Sequence, residues 1–218
     1  MSKQTSQSSV LVPRSILQAS RYELSDLSLE IVEGTLPTEL RGHFFMVAPV
    51  GSVNSGGLPH PDGDSVLNGD GMIYRLDFPG DGAVSVKTKL VTPPDYYADL
   101  ATRPESPYCD YGFRNRGIIR FSSALGFRNQ LNTAFLPMPF PDTSLQRLLV
   151  TYDGGRPYEV DTETLETVTP VGANLEWKPE LNWFNAPFQP FLSSAHPAFD
   201  GKTGEMFTVN YSRSLENF

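Results

Sequence analysis

Three histidines are the side chains of this chain best suited to bind a transition metal or to transfer a proton near neutral pH. His43 lies in the β-prone run RGHFFMVAP, where a packed or surface strand histidine is expected. His60 lies in the Gly/Pro loop SGGLPHPDGDS and is expected to be solvated. His196, in SSAHPAFD, precedes a proline, which favours an extended backbone beside a potential ligand. On the residues alone, a metal-ligand role and an ordinary structural role both stay open for His196.

The other chemistry-bearing groups form no recognisable site in the sequence. The carboxylates are dispersed, without the pair that a glycosidase-type hydrolase needs. NGDGM (residues 68–72) lacks the alternating oxygen ligands and terminal glutamate of an EF-hand calcium loop, so we predict a turn. The sequence contains no glycine-rich phosphate loop, no CxxC pair and no nucleophile elbow.

Charge limits the classes of partner. With 25 acidic and 17 basic residues the net charge is −8, so nucleic acid would be repelled and is not an expected partner. Arginines at positions 103, 114, 116, 120 and 128 form the one locally basic stretch. We predict a face on which they pair with the excess carboxylates; contact with an anionic membrane surface is the alternative.

The elements that position these side chains are predicted to be short strands separated by turns of Gly, Pro, Asp and Asn. The predicted strands are residues 29–33, 43–48, 72–78, 83–91, 117–122, 148–152, 158–160, 164–168 and 206–211. FPGDGA (residues 78–83) and FDGKTGE (residues 199–205) are predicted to be hairpin turns. No long amphipathic helix is indicated, so we predict an all-β fold; a sandwich, a barrel and a propeller stay open.

Residues 1–25, rich in Ser and Gln, are predicted to form a poorly ordered tail before a folded domain over residues 26–218. Two irregular stretches, residues 51–67 and 174–194, are longer than ordinary connections. Their aromatic and proline residues are suited to lining a pocket, touching a membrane or packing over the ends of sheets. These three alternatives stay open.

Composition indicates an ordinary folded protein, with 39% hydrophobic residues, 19% charged residues and a mean hydropathy of −0.28. The single cysteine, Cys109, cannot form an intramolecular disulfide, so we expect a small buried thiol and a reducing compartment. No apolar run has the length of a signal peptide or of a membrane-spanning helix. A cytoplasmic location is the expectation.

Five segments, read in order, resemble the carotenoid cleavage oxygenase family. They are LPTELRGHFFMVAP (36–49), LNGDGMIYRLDF (67–78), NQLNTAFL (129–136), LLVTYDGGRPYEVDTETLETVTPVG (148–172) and SSAHPAFDGKTGEMFTVNY (193–211). Five segments in the family's order are much harder to obtain by chance than one motif. The residues of these segments are most similar to those of the apocarotenoid oxygenases of that family.

The resemblance implies a seven-bladed β-propeller with Fe(II) on its axis, held by four histidines. His196 matches the first of these ligands, whereas His43 and His60 match none. The resemblance also implies a dioxygenase that splits a conjugated double bond of a carotenoid or apocarotenoid with O2, giving two carbonyl products. A polyene offers few polar groups, so an apolar tunnel is expected to bind it. Thr133 matches the small residue that the family keeps beside the open iron position.

Two departures from the family pattern bear on activity. Asp153 stands where much of the family has a glutamate that orients a ligating histidine, and aspartate is one methylene shorter. No histidine follows His196, so we expect this chain to be an N-terminal portion, an incomplete propeller that is inactive by itself. The alternative is a non-catalytic propeller fragment that binds a hydrophobic ligand or a partner without iron. Because the substrate dissolves in lipid, peripheral membrane contact is a further expectation.

Overall fold

The computed structural model describes residues 19–53, 66–116, 119–140, 146–180 and 185–211. Antiparallel strands dominate these ranges, which confirms the predicted all-β class. Short 3-10 turns at Val66–Asn68, Cys109–Tyr111 and Asn174–Glu176 connect some of them. No helix within these ranges has the length and apolar character to cross a membrane.

The first sheet has four strands: β1 (Leu27–Ser28), β2 (Arg41–Pro49), β3 (Gly71–Pro79) and β4 (Ser85–Leu90), in the order β1-β4-β3-β2. The turn between β3 and β4 is the predicted FPGDGA hairpin, in which Gly80 and Gly82 have φ of +88° and +84°. Glycine adopts this left-handed region without the steric cost that a Cβ would bring. The strand predicted at residues 29–33 is wrong, because those residues form no strand and β1 consists of the two residues before them.

Residues 19–25, which the sequence analysis assigned to the tail, run beside β4 and are hydrogen bonded to it. Thr88 N donates to Leu24 O at 2.9 Å, and Leu24 N donates to the side-chain hydroxyl of Thr88 at 2.7 Å. The Glu23 carboxylate accepts from the Leu90 amide at 3.0 Å and from the Lys89 ammonium at 3.2 Å. The rest of the predicted tail, residues 1–18, lies outside the described residues.

The second sheet contains β5 (Arg114–Arg116), β6 (Ile119–Ser122) and β7 (Gly126–Phe127), and it follows helix α1 (Pro94–Ala101). The sequence analysis missed α1. The helix begins with proline at its first turn, a favourable position. Its buried residues, however, are Asp95 and Asp99 rather than apolar side chains, so the usual apolar periodicity is absent.

The third sheet contains β8 (Ala134–Pro139), β9 (Gln146–Thr151), β10 (Tyr158–Val160) and β11 (Thr167–Pro170), in the order β11-β10-β9-β8. The sequence analysis missed β8, which contains Pro137 and Pro139. β8 is an edge strand of this sheet, where missing amide donors cost little.

Four short strands complete the described fold: β12 (Leu192–Ser193), β13 (Ala198–Asp200), β14 (Glu205–Phe207) and β15 (Asn210–Tyr211). β12 pairs with β15, and β13 pairs with β14 around the predicted FDGKTGE hairpin. Both predicted hairpin turns are therefore confirmed.

The main hydrophobic core lies between the first and third sheets. Its buried residues are Ile73, Val91, Leu131, Val150, Tyr152, Tyr158, Val160 and Leu165. Phe45 of β2 meets Phe135 of β8 edge to face, with ring centroids 6.2 Å apart. Burial of apolar area between these sheets stabilises the fold.

A buried ionic cluster joins α1 to the second sheet and to the turn before β3. The fully buried Arg128 guanidinium donates to Asp70 at 2.6 Å and to Asp95 at 2.5 Å, and its Nε lies 3.4 Å from Asp99. Arg120 makes a two-pronged ion pair with Asp99. Burial raises the pKa of Asp95, and the charge of Arg128 opposes that rise.

The predicted pairing with carboxylates is confirmed for the two arginines of this cluster, but their predicted place on a basic face is wrong. Arg120 and Arg128 are buried and pair with aspartates inside the protein, because each replaces lost hydration with carboxylate hydrogen bonds. Arg103 faces solvent beside Glu105 at 3.8 Å. Arg114 and Arg116 are exposed, so the five residues do not form one surface.

Candidate functional site

A cavity of about 480 Å³ lies where the ends of several sheets meet. Its apolar lining comes from Leu67, Ile119, Phe127 and Leu192. Its polar lining includes Arg116, Asn132, Thr133, Tyr152, Asp153 and Glu180. This volume is in the range of small-molecule sites, and a mainly apolar wall with a few fixed polar groups suits an apolar ligand.

The backbone segment after β9 is held against β12 and the residues that follow it. Ser193 N donates to Asp153 O at 3.0 Å, which aligns the two segments. The Thr151 hydroxyl lies 2.5 Å from Ala195 O and 3.0 Å from Ala134 O, and Thr151 is fully buried. This bridge fixes the position of the SSAHP segment relative to the third sheet.

Asp153, the predicted orienting carboxylate, lies on the cavity wall and is exposed. Its Oδ1 accepts a hydrogen bond from the Ala195 amide at 2.8 Å. The carboxylate therefore holds the residue immediately before His196, across 42 positions of sequence. The contact with the histidine segment is made here through the backbone.

His196 is exposed, and its amide donates to Ser194 Oγ at 3.1 Å. It is not one of the residues that line the cavity. The preceding residue, Ala195, is tied to both Thr151 and Asp153, so the backbone that carries the imidazole is anchored at the cavity edge.

Thr133 is exposed and lines the same cavity at the start of β8. Its amide donates to Thr151 O at 3.1 Å. The fold therefore connects Thr133, Asp153 and the His196 segment through Thr151, although 63 positions of sequence separate Thr133 from His196. Their proximity supports a common site and leaves their individual roles as predictions.

Two further residues of the wall were missed by the sequence analysis. Asn132 is buried, and its amide bonds to both the turn before β3 and the Thr133 hydroxyl. Tyr152 is buried beside Asp153; burial and the charge of that carboxylate raise the pKa of Tyr152 to about 12. Its phenol therefore stays protonated at neutral pH. Adjacency to Thr133 and Asp153 was the available sequence signal for both.

The other sequence candidates lie elsewhere. His43 is a surface histidine of β2, as predicted, and its Nδ1 lies 2.5 Å from the Asp77 carboxylate. His60 lies outside the described residues. Asp70 of NGDGM is buried against Arg128 and Arg21, which confirms a structural turn.

The described parts of the long stretch, residues 174–180 and 185–194, pack over the second sheet and also reach the cavity. Gly126 and Phe188 form a parallel bridge, and a Cβ at Gly126 would lie 1.9 Å from Phe188 O. Trp177 and Phe191 are buried together, with ring centroids 6.3 Å apart. Leu192 lines the cavity. Two of the predicted roles, packing and pocket lining, therefore coexist.

The donor set does not amount to a complete iron centre. In the ranges that the structure describes, no group of three or more His, Cys, Asp and Glu side chains could hold a metal ion. His196 offers one exposed imidazole, whereas an Fe(II) centre needs several converging ligands. These residues could contribute to a metal site but do not constitute one.

The family model for retinal pigment epithelial membrane protein matches residues 17–217. Isoeugenol monooxygenase of Pseudomonas putida is 27% identical over 188 residues, covering 86% of this chain and 34% of that protein. Apocarotenoid-15,15'-oxygenase of Synechocystis is 29% identical over 178 residues, covering 80% of this chain and 32% of that protein. A solved mutant of Synechocystis apocarotenoid oxygenase superimposes with a TM-score of 0.53 at 27% identity, covering 89% of this chain and 37% of that one. The chain thus spans about a third of the length of these curated relatives.

Proposed function

This chain belongs to the retinal pigment epithelial membrane protein and carotenoid cleavage oxygenase family, and from that membership we propose that it forms part of an alkene-cleaving oxygenase. The proposed reaction splits a conjugated carbon–carbon double bond of a carotenoid or apocarotenoid with O2 and yields two carbonyl products. The name of one relative specifies an apocarotenoid, which supports this substrate class.

The observation that carries the proposal is that Thr133 and Asp153 line one mainly apolar cavity and that Asp153 also holds the Ala195 amide, next to His196. A polyene binds through its hydrocarbon surface, so an apolar cavity with few polar groups is the expected site. Long-range contacts through Thr151 and Ala195 bring these residues together. Such contacts give the cavity a fixed wall against which a double bond could be positioned.

His196 is proposed to supply one imidazole ligand to Fe(II), because neutral imidazole is a common ligand for iron. Asp153 is proposed to position that histidine by holding the Ala195 amide. Thr133 is proposed to be the small residue beside the open iron position. Each role rests on the family resemblance together with the position of the residue in this fold.

The described residues supply only one of the imidazoles, so we propose that the 218-residue chain alone does not hold iron and does not turn over substrate. The antiparallel sheets are proposed to be blades of a seven-bladed propeller, of which this chain provides the first part. A complete centre would take its remaining ligands from further blades. This proposal agrees with the share of the relatives' length that the chain covers.

The test uses the native gene product and the isolated 218-residue chain side by side. Each is supplied with Fe(II), O2 and an apocarotenal, and bound iron and carbonyl products are quantified. We expect product from the native protein if it contains the remaining ligands, and neither product nor stoichiometric iron from the isolated chain. His196→Ala should abolish iron binding and product in the active form.

His43→Ala is the matched control, because His43 lies on the first sheet and pairs with Asp77 rather than facing the cavity. It should retain iron and activity. Iron bound one-to-one by the isolated chain, with His196→Ala indistinguishable from His43→Ala, would contradict the ligand assignment. Product formation unaffected by His196→Ala would contradict the oxygenase mechanism.

A second function, binding of a hydrophobic ligand without catalysis, is supported by the same cavity. Tight apocarotenal binding by a native product that contains no iron and forms no carbonyl fragments would favour it. The two functions therefore differ in metal content and in product, and they agree in ligand class.

A further inference from the structure

Asn132 makes three hydrogen bonds that determine the orientation of its amide. Its Nδ2 donates to Leu67 O at 2.9 Å and to Gly69 O at 2.7 Å. Because both partners are carbonyl oxygens, the amide nitrogen must face them and Oδ1 must face the other way. Oδ1 lies 3.1 Å from the Thr133 hydroxyl.

The Thr133 hydroxyl must therefore be the donor in its bond with Asn132. An amide oxygen can only accept, so the single hydroxyl proton of Thr133 is directed to Asn132. Thr133 and Asn132 both belong to the cavity wall, but Thr133 is exposed whereas Asn132 is buried. The hydroxyl proton that a bound ligand would otherwise cover is therefore already hydrogen bonded to the Asn132 amide oxygen.

The backbone around Asn132 is fixed by close packing. The preceding residue, Leu131, is fully buried and has φ of +47°, an uncommon conformation for a branched side chain. A Cβ at Gly71 would lie 2.1 Å from Leu131 O, so the two backbones are in direct contact. The packing of Gly71 against Leu131 and Asn132 thus holds the backbone that carries the Asn132 side chain.

We propose that Asn132 is a positioning residue that makes the cavity wall at Thr133 tolerant of a hydrocarbon ligand. This inference rests on the proposed function of the cavity as a polyene site. Without Asn132, the Thr133 hydroxyl would bond to water in the free protein and lose that water beneath a bound polyene. Leaving a buried hydroxyl unpaired is costly, and here the cost would arise only on ligand binding.

A double-mutant cycle with diphenylhexatriene, a fluorescent polyene without polar groups, tests the coupling in the full chain. Asn132→Leu removes the amide at similar size and should weaken probe binding about tenfold. The same change in a Thr133→Val background should weaken binding less than about twofold, because no hydroxyl remains to be left unpaired.

Thermal unfolding of every variant separates this role from a structural one. Loss of the bonds to Leu67 and Gly69 should destabilise the Asn132 variants equally in both Thr133 backgrounds, whereas affinity should depend on the background. Equal loss of affinity in the two backgrounds overturns the inference while leaving the cavity as a polyene site. Failure of the wild-type chain to bind the probe overturns both that site and the inference.

Discussion

Replacing Arg128 with methionine should expose how the buried ionic cluster stabilises the fold. Methionine keeps much of the aliphatic volume and removes the guanidinium. Two of the three carboxylates around it retain a second arginine, because Asp70 pairs with Arg21 at 2.8 Å and Asp99 pairs with Arg120. The third carboxylate, Asp95, loses its only described ion pair.

The magnitude follows from that one unpaired charge. The Asp95 side chain is 4% exposed and would keep the hydrogen bond from the Asn129 amide at 2.7 Å. Removing one partner of a buried ion pair costs about 3–5 kcal/mol, so Arg128→Met should lower the free energy of unfolding by that amount. Adding Asp95→Asn removes the charge and should restore about half of the loss.

The effect should also depend on pH. Burial already raises the pKa of Asp95, and removing Arg128 removes a positive charge that lowers it. A carboxyl with a higher pKa in the folded state than in the unfolded state favours folding when it takes up a proton. The destabilisation by Arg128→Met should therefore shrink as the pH falls from 7 towards 5.

Urea unfolding followed by circular dichroism at both pH values measures these differences. Arg103→Met is the control, since Arg103 and Glu105 side chains are 56% and 76% exposed and their pair should contribute under about 0.5 kcal/mol. A loss of less than about 1 kcal/mol for Arg128→Met, or no recovery on adding Asp95→Asn, would refute the reasoning about an unpaired buried carboxylate.

Two further substitutions test the contacts that shape the cavity. Thr151→Val removes the buried hydroxyl 2.5 Å from Ala195 O, so it should lower the free energy of unfolding by about 1–3 kcal/mol and speed hydrogen exchange at the Ala195 amide. The control Thr169→Val, at an exposed position, should change neither the stability nor the exchange rate. Equal effects of the two substitutions would contradict the bridge between Thr151 and Ala195. Gly71→Ala would place a Cβ 2.1 Å from a backbone oxygen and should lower stability by about 3 kcal/mol in urea unfolding, whereas Gly201→Ala, with its nearest neighbour at 4.0 Å, should be nearly neutral. Similar stabilities for the two alanine variants would argue against that close approach.

Local sequence patterns predicted the parts of the fold that depend on near neighbours. Glycines at positions 80 and 82 supply the left-handed backbone of the β3–β4 hairpin, so this turn could be predicted without tertiary information. Helix α1 was not predicted because its buried side chains are aspartates. Their burial depends on Arg120 and Arg128, which lie at least 21 and 29 positions further along the chain. Strand β8 was not predicted because proline lacks an amide donor and disfavours a strand. Its place at a sheet edge, which tolerates proline, is a tertiary feature.

The sequence by itself determined the all-β class, the two hairpins and the resemblance that singled out Thr133, Asp153 and His196. Tertiary structure decided that Asp153 holds the Ala195 amide and that Asn132 accepts a hydrogen bond from the Thr133 hydroxyl. A strand pattern specifies which residues alternate across a sheet, because that period is local. Which distant backbone meets a given side chain is settled only when whole sheets pack, since those contacts form between segments that no local pattern relates.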